Sequence, residues 1–437
     1  MKIMKIKRGF KTVSTLFMCF IMAAACMSCG GSVTIESLVL APTTINMAVN
    51  TVIQFEATAS ESNGTISSVN TQVSWSSSNS AVATVNSSGA VTGVGPGSAT
   101  ITASAKGGVT AQASVTVTVP TTATFPVGNN PSSIAIDASG NVWVTNQGAD
   151  TVTELNNSGT LLGTFTVGSN PSGIFIDQAG NVWVANHGAD TVTELNSAGA
   201  LVGTYTVGPN PAGIVQDSLG FVWVTLYGGA NGAPLGNTVI KLTLASGSPV
   251  ISTFTVGNGP SGIAIDASDN AWVTNMGSDT VPGDTVTELN DSGTLIGTFA
   301  VGSEPHGIAI GPNNYVWITN AGSDALPGNT ITELSSGVLL NTFTVGSEPK
   351  AVAIDTAGSV WVTNSGSTAV PGTTLMELSP TNGAIVNTFQ VGDNPLGIAI
   401  DPSNNVWVAN YGSNSVTVWR GAATGPQFRA YTGPVWP

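Results

Sequence analysis

Only two histidines occur in the 437 residues, His187 and His306. Imidazole is the side chain that titrates near neutral pH and the commonest metal ligand. These two positions therefore bound the acid–base and metal chemistry open to the chain. A mononuclear zinc centre takes roughly three or four protein ligands, and two histidines do not supply a histidine-rich one. The cysteines do not add to it, because Cys19, Cys26 and Cys29 all precede residue 30. Carboxylates recur instead. Asp137, Asp177, Asp217, Asp266, Asp355 and Asp401 stand at equivalent places, one per repeat, with Gly311 at the fifth. Calcium needs about six to eight oxygens converging on one point. Spread out, these aspartates suit turn caps, in which a carboxylate accepts backbone N–H groups. A second column, Glu154, Glu194, Glu288, Glu333 and Glu377, with Lys241 and Val418 as departures, reads as a solvated outer strip. No Walker loop, dinucleotide fingerprint, Gly-x-Ser-x-Gly elbow or His-Glu-x-x-His motif is present.

Composition narrows the partners. Charged residues make up 8 % of the chain, against about 25 % in ordinary soluble proteins. Ten basic residues face 24 acidic ones. A nucleic-acid binder needs a basic footprint, and long surface helices need abundant Glu, Lys and Arg; both are excluded. Half of the basic residues, Lys2, Lys5, Lys7, Arg8 and Lys11, precede an apolar run from Val13 to Ala25. That is the layout of an export signal, and the run is shorter than the roughly 20 residues of a spanning helix. Cys26 follows three alanines and Cys29 precedes Gly30-Gly31. Both resemble the lipid-modified cysteine of bacterial lipoproteins, and the choice between them stays open. Segment 1–29 is thus expected to direct a lipoprotein to the bacterial outer membrane or cell surface. A periplasm-facing or secreted protein is the alternative.

The elements that must carry any site are strands. Residues 33–120 hold about seven short alternating runs bounded by Gly, Asn, Ser or Pro, among them Val52–Ala57, Ala81–Val85 and Ser114–Val119. Such spacing suggests a two-sheet sandwich, with Trp75 as its expected core residue. Residues 121–437 are dominated by a repeat: Pro-x-Gly-Ile-Ala-Ile-Asp, a Gly-Asn turn, then Val-Trp-Val-Thr-Asn. Seven tryptophans mark it, Trp143, Trp183, Trp223, Trp272, Trp317, Trp361 and Trp407. Each unit reads as four strands, a to d. Four-stranded units at this period predict a β-propeller, here seven-bladed. The fold class is therefore all-β, an immunoglobulin-like sandwich followed by the propeller. Either Thr124–Gly128 or Gln427–Tyr431 would supply the last outer strand.

The stretch Trp75–Asn79, Val82–Val85, Gly89–Val94 and Pro96–Ala103 resembles the bacterial group 2 immunoglobulin-like domain. In that family the module serves as a spacer or an adhesive unit on cell-surface proteins. Pro171-Ser172-Gly173-Ile174 with Gly180-Asn181-Val182-Trp183-Val184, and their counterparts in all seven units, resemble NHL-type repeats. More closely they resemble the virginiamycin B lyase-like propellers. That resemblance implies catalytic histidines, an acidic residue and a divalent metal near the channel mouth. The nearest candidates are His306 with Glu304 or Glu348, and the family's histidine set looks incomplete.

An up-and-down meander sends the a–b and c–d loops to one face and the b–c and d–a loops to the other. In units 3 to 6 the b–c loops are longer, around Tyr227, Pro282, Pro327 and Pro371, and build a one-sided wall. Insertions of this kind often mark a binding face. His187, read as a solvent-exposed loop residue, Tyr227, His306 and Asp393 are the expected contact residues there. The expected partner is a protein, peptide or carbohydrate, with no cofactor, no nucleic acid, and membrane contact only through the lipid. The expected function is a non-enzymatic envelope binding or scaffold protein acting as a monomer. A metal-dependent lyase is the alternative.

Overall fold

The computed structural model describes residues 34–229, 235–245, 248–278, 281–323 and 325–423. Cys26, Cys29, Trp436 and the alternative closing segment Gln427–Tyr431 lie outside the described residues. The described fold is all-β, with only two short 3-10 turns, His187–Ala189 and Tyr411–Ser413, breaking the strands.

Between Ile35 and Thr118 ten strands form three sheets around one core. The expected count of about seven is too low for a local reason. The first run, Leu38–Leu40, ends before Pro42 as expected, but Thr44–Ala48 beyond it is a further strand that joins a different sheet from Ile35–Ala41. Phe55 divides another run, into Val52–Gln54 and Glu56–Glu61. Trp75 is not the core residue. It is half-buried at the edge, where its Nε1 donates to Asn70 O at 2.9 Å, as an indole N–H requires. Phe55, fully buried, fills the centre.

From Thr121 to Arg420 the chain forms seven four-stranded antiparallel sheets. In the second unit, strand a is Pro171–Ile176, b is Val182–Asn186, c is Thr191–Leu195 and d is Leu201–Thr206. Strand a of each unit packs beside strand a of the next, and the first packs against the seventh. The closing strand comes from the N-terminal side: Thr121–Pro126 pairs antiparallel with Ser415–Arg420.

Two residue columns explain the repeat. Each strand-b tryptophan stacks on an aromatic of strand d, as Trp143 does on Phe165 at 5.4 Å, and Phe125 supplies this ring to Trp407 at 6.2 Å. The tryptophan also reaches into the neighbouring unit, where Trp143 clusters with Ile174, Val182, Val184 and Leu195. The aspartates do cap turns. Asp177 Oδ1 accepts from Ala179 N and Asn181 N, while Oδ2 accepts from Trp183 Nε1 at 3.0 Å.

The glutamate column is not a solvated strip. Its five members are 1–7 % exposed. Asn181 Nδ2 bridges Asp177 Oδ2 and Glu194 Oε1, and Tyr205 OH donates to Glu194 Oε2 at 2.9 Å. Burial, more than neighbouring charge, raises the pKa values of Glu154, Glu194 and Glu288. The strand-c side chain faces the tryptophan beneath it rather than water, so the polar column belongs to the turn-cap network. Where Lys241 replaces glutamate, its Nζ bonds Asp217 Oδ2 directly at 2.9 Å.

Candidate functional site

Every unit enters strand a through a d–a turn whose last residue before the proline is left-handed. Asn130, Asn170, Asn210 and Asn394 hold φ of +46 to +55, and Gly259 holds +59. Asparagine and glycine are at home there. Glu304 and Glu348 occupy the same place at φ +47 and +46, a conformation that glutamate does not favour. The backbone is otherwise unchanged: Ala321 N donates to Glu304 O, and Ser365 N to Glu348 O, as His187 N does to Asn170 O. A residue kept against its local preference on an unaltered frame is a marker of function.

The next register position sharpens the pattern. Two residues on, the units carry Ser132, Ser172, Ala212, Ser261, His306, Lys350 and Leu396, all buried around the axis. Thr274 Oγ1 holds His306 O at 2.9 Å, and Thr319 Oγ1 holds Lys350 O at 3.0 Å, each from the preceding unit. The two backbones are thus pinned side by side. Lys350 Nζ lies 3.3 Å from His306 Nε2 and 3.9 Å from Glu348 Oε2. Glu304, His306, Glu348 and Lys350 are 3, 2, 2 and 7 % exposed.

An ammonium has three donors and no lone pair, so His306 Nε2 accepts and the ring proton sits on Nδ1. Burial first, and the Lys350 charge second, hold the His306 pKa well below the ordinary imidazole range. The ring is neutral, and its basic lone pair is aimed at a cation. Lys350 was not among the residues expected from sequence. Its signal was present, as Glu348-Pro349-Lys350 where the first three units read Asn-Pro-Ser or Asn-Pro-Ala.

The remaining expected residues are dispersed. His187 is half-buried rather than solvent-exposed, and burial lowers its pKa to about 4. Its ring lies 6.2 Å from that of Tyr227, whose OH donates to Gly277 O at 3.1 Å. Asp393 is exposed at the d–a turn of the seventh unit, with its carbonyl accepting from Gly412 N at 3.0 Å. The long b–c loops are extensions of the hairpin, not free loops. Strands b and c run on past a bulge to pair Gly277 with Pro282, Gly322 with Pro327 and Gly366 with Pro371.

A divalent metal does not fit this donor set. Among the described residues no three His, Cys, Asp or Glu side chains converge, and the ammonium of Lys350 faces the nitrogen that would bind one. The arrangement holds charged and hydrogen-bonding groups together at the start of strand a in two adjacent units.

The Virginiamycin B lyase family matches residues 75–371, and an NHL repeat matches residues 393–419. A streptogramin B lyase structure is 20 % identical with a TM-score of 0.58, covering 69 % of this chain and 97 % of that one. Virginiamycin B lyase from Staphylococcus aureus gives the same identity and score, covering 69 % and 99 %. Its catalytically inactive histidine-to-alanine variant, solved with quinupristin, gives 20 % and 0.57. At this identity the likeness shows a shared β-propeller fold. Ice-binding protein 1 of Shewanella frigidimarina is 46 % identical over 71 residues, which are 16 % of this chain and 8 % of that relative's length. With the family match spanning the larger part of its length, the chain belongs to the virginiamycin B lyase family.

Proposed function

We propose that the chain is a non-enzymatic binding protein of the bacterial envelope. In this reading a seven-bladed propeller is carried on an immunoglobulin-like domain and held to the membrane through a lipid on Cys26 or Cys29. It acts as a monomer and takes a protein, peptide or carbohydrate on the face of the b–c and d–a loops. The contact between Lys350 Nζ and His306 Nε2 carries the reading. A general base needs a lone pair directed at the substrate proton, and here that lone pair is engaged by an ammonium. Glu304, Glu348 and Lys350 would supply its charged groups, and Tyr227, His187 and Asp393 outlying contacts. The acidic composition favours a cationic or polyhydroxy ligand.

Family membership supports a second reading, a lyase in which His306 is freed by movement of Lys350. One pair of experiments separates the two. The full chain is exposed to peptide and glycan arrays, and separately to quinupristin with magnesium, followed by chromatography. The binding reading expects a saturable array ligand whose affinity falls at least about tenfold in Glu304→Gln or Tyr227→Ala, with quinupristin unchanged. Conversion of quinupristin that His306→Ala abolishes would replace it with the lyase reading.

A further inference from the structure

The other end of the axial channel is built on opposite principles. Strand a has six residues, so His306 and Ile310 lie about 13 Å apart along it. Where His306 and Lys350 crowd one end, strand a finishes at the other in Ile136, Ile176, Ile265, Ile310, Ile354 and Ile400, with Gln216 in the third unit. These side chains and the a–b turns beyond them line a cavity of about 780 Å³. The first four isoleucines are half-buried: each packs in part against the core between units and leaves the rest of its apolar surface to the opening. Folding does not demand this, since Gln216 shows that the position accepts a polar side chain. The residues just before them, among them Ala264 and Ala309, are too small to fill the space. Phe175 is the large exception, and it stacks on Trp183 at 6.2 Å.

The charged lining is acidic, and one member is paired from outside the cavity, where Lys241 Nζ meets Asp217 Oδ2 at 2.9 Å. Asp137, Asp217, Asp266 and Asp355 line the cavity, and no lysine or arginine does. The carboxylates are held in place by turn N–H groups, as Asp266 is by Ser268 N and Asn270 N. Pockets of roughly 300–1,000 Å³ with apolar walls and a few fixed polar groups are the usual seats of small molecules. We propose that this cavity is a second binding site, for a small apolar molecule that is neutral or cationic. It is separate from the His306 end and does not depend on the function assigned there.

The test uses the full chain and two naphthalene dyes, neutral prodan and anionic ANS. Prodan should saturate at one site per chain, and ANS should bind at least about tenfold more weakly, since an anion meets fixed carboxylates. Ile310→Asn makes the wall polar and Ile176→Trp fills space from the far side. Each should weaken prodan binding at least about fivefold. Leu295→Asn, at an exposed position on an outer strand, should leave it unchanged. Melting temperatures establish that the compared proteins are folded, and one folded cavity variant suffices. Unsaturable prodan binding, ANS binding as tight as prodan, or wild-type prodan affinity in the folded cavity variants would overturn the proposal.

Discussion

Glu377 shows how one substitution in a repeat changes the chemistry of a column. Its side chain is 1 % exposed. The first, second and fourth units place an asparagine between Asp and Glu, as Asn181 does, but the sixth has Ser359 there. Asn387 Nδ2 donates to Glu377 Oε2 at 2.7 Å. That does not offset burial, which, reinforced by Asp355, raises the pKa to about 8. The folded state therefore holds a proton that the unfolded chain releases near the ordinary value of 4.5. Stability is full below the unfolded pKa and is lost as pH rises through the interval up to about 8. Glu377→Gln keeps the acceptor for Asn387 and removes the titration. It should stabilise the protein by on the order of 1–3 kcal/mol at pH 8 and by little at pH 5. Urea unfolding at the two pH values checks this; equal gains at both would remove the carboxyl as the cause. Such burial was not legible in the sequence, because alternation along strand c does not say whether the outward side chain meets water or a neighbouring tryptophan.

At the scale of elements, the long hairpins, read from sequence as a wall on a binding face, also have a structural role. In short-loop units a side chain secures the next d–a turn: Asp150 Oδ1 accepts from Asn170 N at 2.8 Å, and Asp190 Oδ1 from Asn210 N at 2.9 Å. In long-loop units a hairpin carbonyl does the same work. Gly283 O accepts from Glu304 N, and Gly328 O from Glu348 N, both at 2.8 Å. A Cβ on Gly283 would overlap Asn275 O, and one on Gly328 would overlap Asn320 O, so glycine is required at this close approach. The two devices should be interchangeable. Replacing residues 321–329 by Ala-Gly-Ala-Asp should cost less than about 1 kcal/mol, since loop length itself costs little. Ending the graft in glycine instead of aspartate removes the acceptor for Glu348 N and should cost a further 1–2 kcal/mol or so. Denaturant midpoints of the two grafts decide the matter, and equal midpoints would show that the hairpin does not hold the turn.

The whole molecule depends on a strand borrowed across nearly the full repeat region. Thr121–Pro126 completes the sheet of Ser415–Arg420 and places Phe125 on Trp407. Closing a ring in this way removes an exposed sheet edge. A chain beginning at Val119 should keep a cooperative melting transition. A chain beginning at Val127 loses six ladder residues and a core aromatic, and should melt on the order of 10 °C lower. Equal melting temperatures for the two chains would mean that another segment closes the ring.

What the sequence determined by itself was the local geometry that repeats. Asp177, Trp183 and their counterparts recur at fixed spacing because turn geometry and strand alternation are local, and local rules read out in order along the chain. The all-β class, the four-strand unit, the turn caps and the two loop faces follow from that. Tertiary structure decided what depends on neighbours distant in the chain. It chose Thr121–Pro126 as the closing strand, buried the glutamate column, and set Lys350 against His306 from an adjacent unit. It also turned six isoleucines, each unremarkable in its own strand, into the wall of one cavity. Those outcomes arise where units meet around the axis, and no single repeat encodes the residue that its neighbour will present.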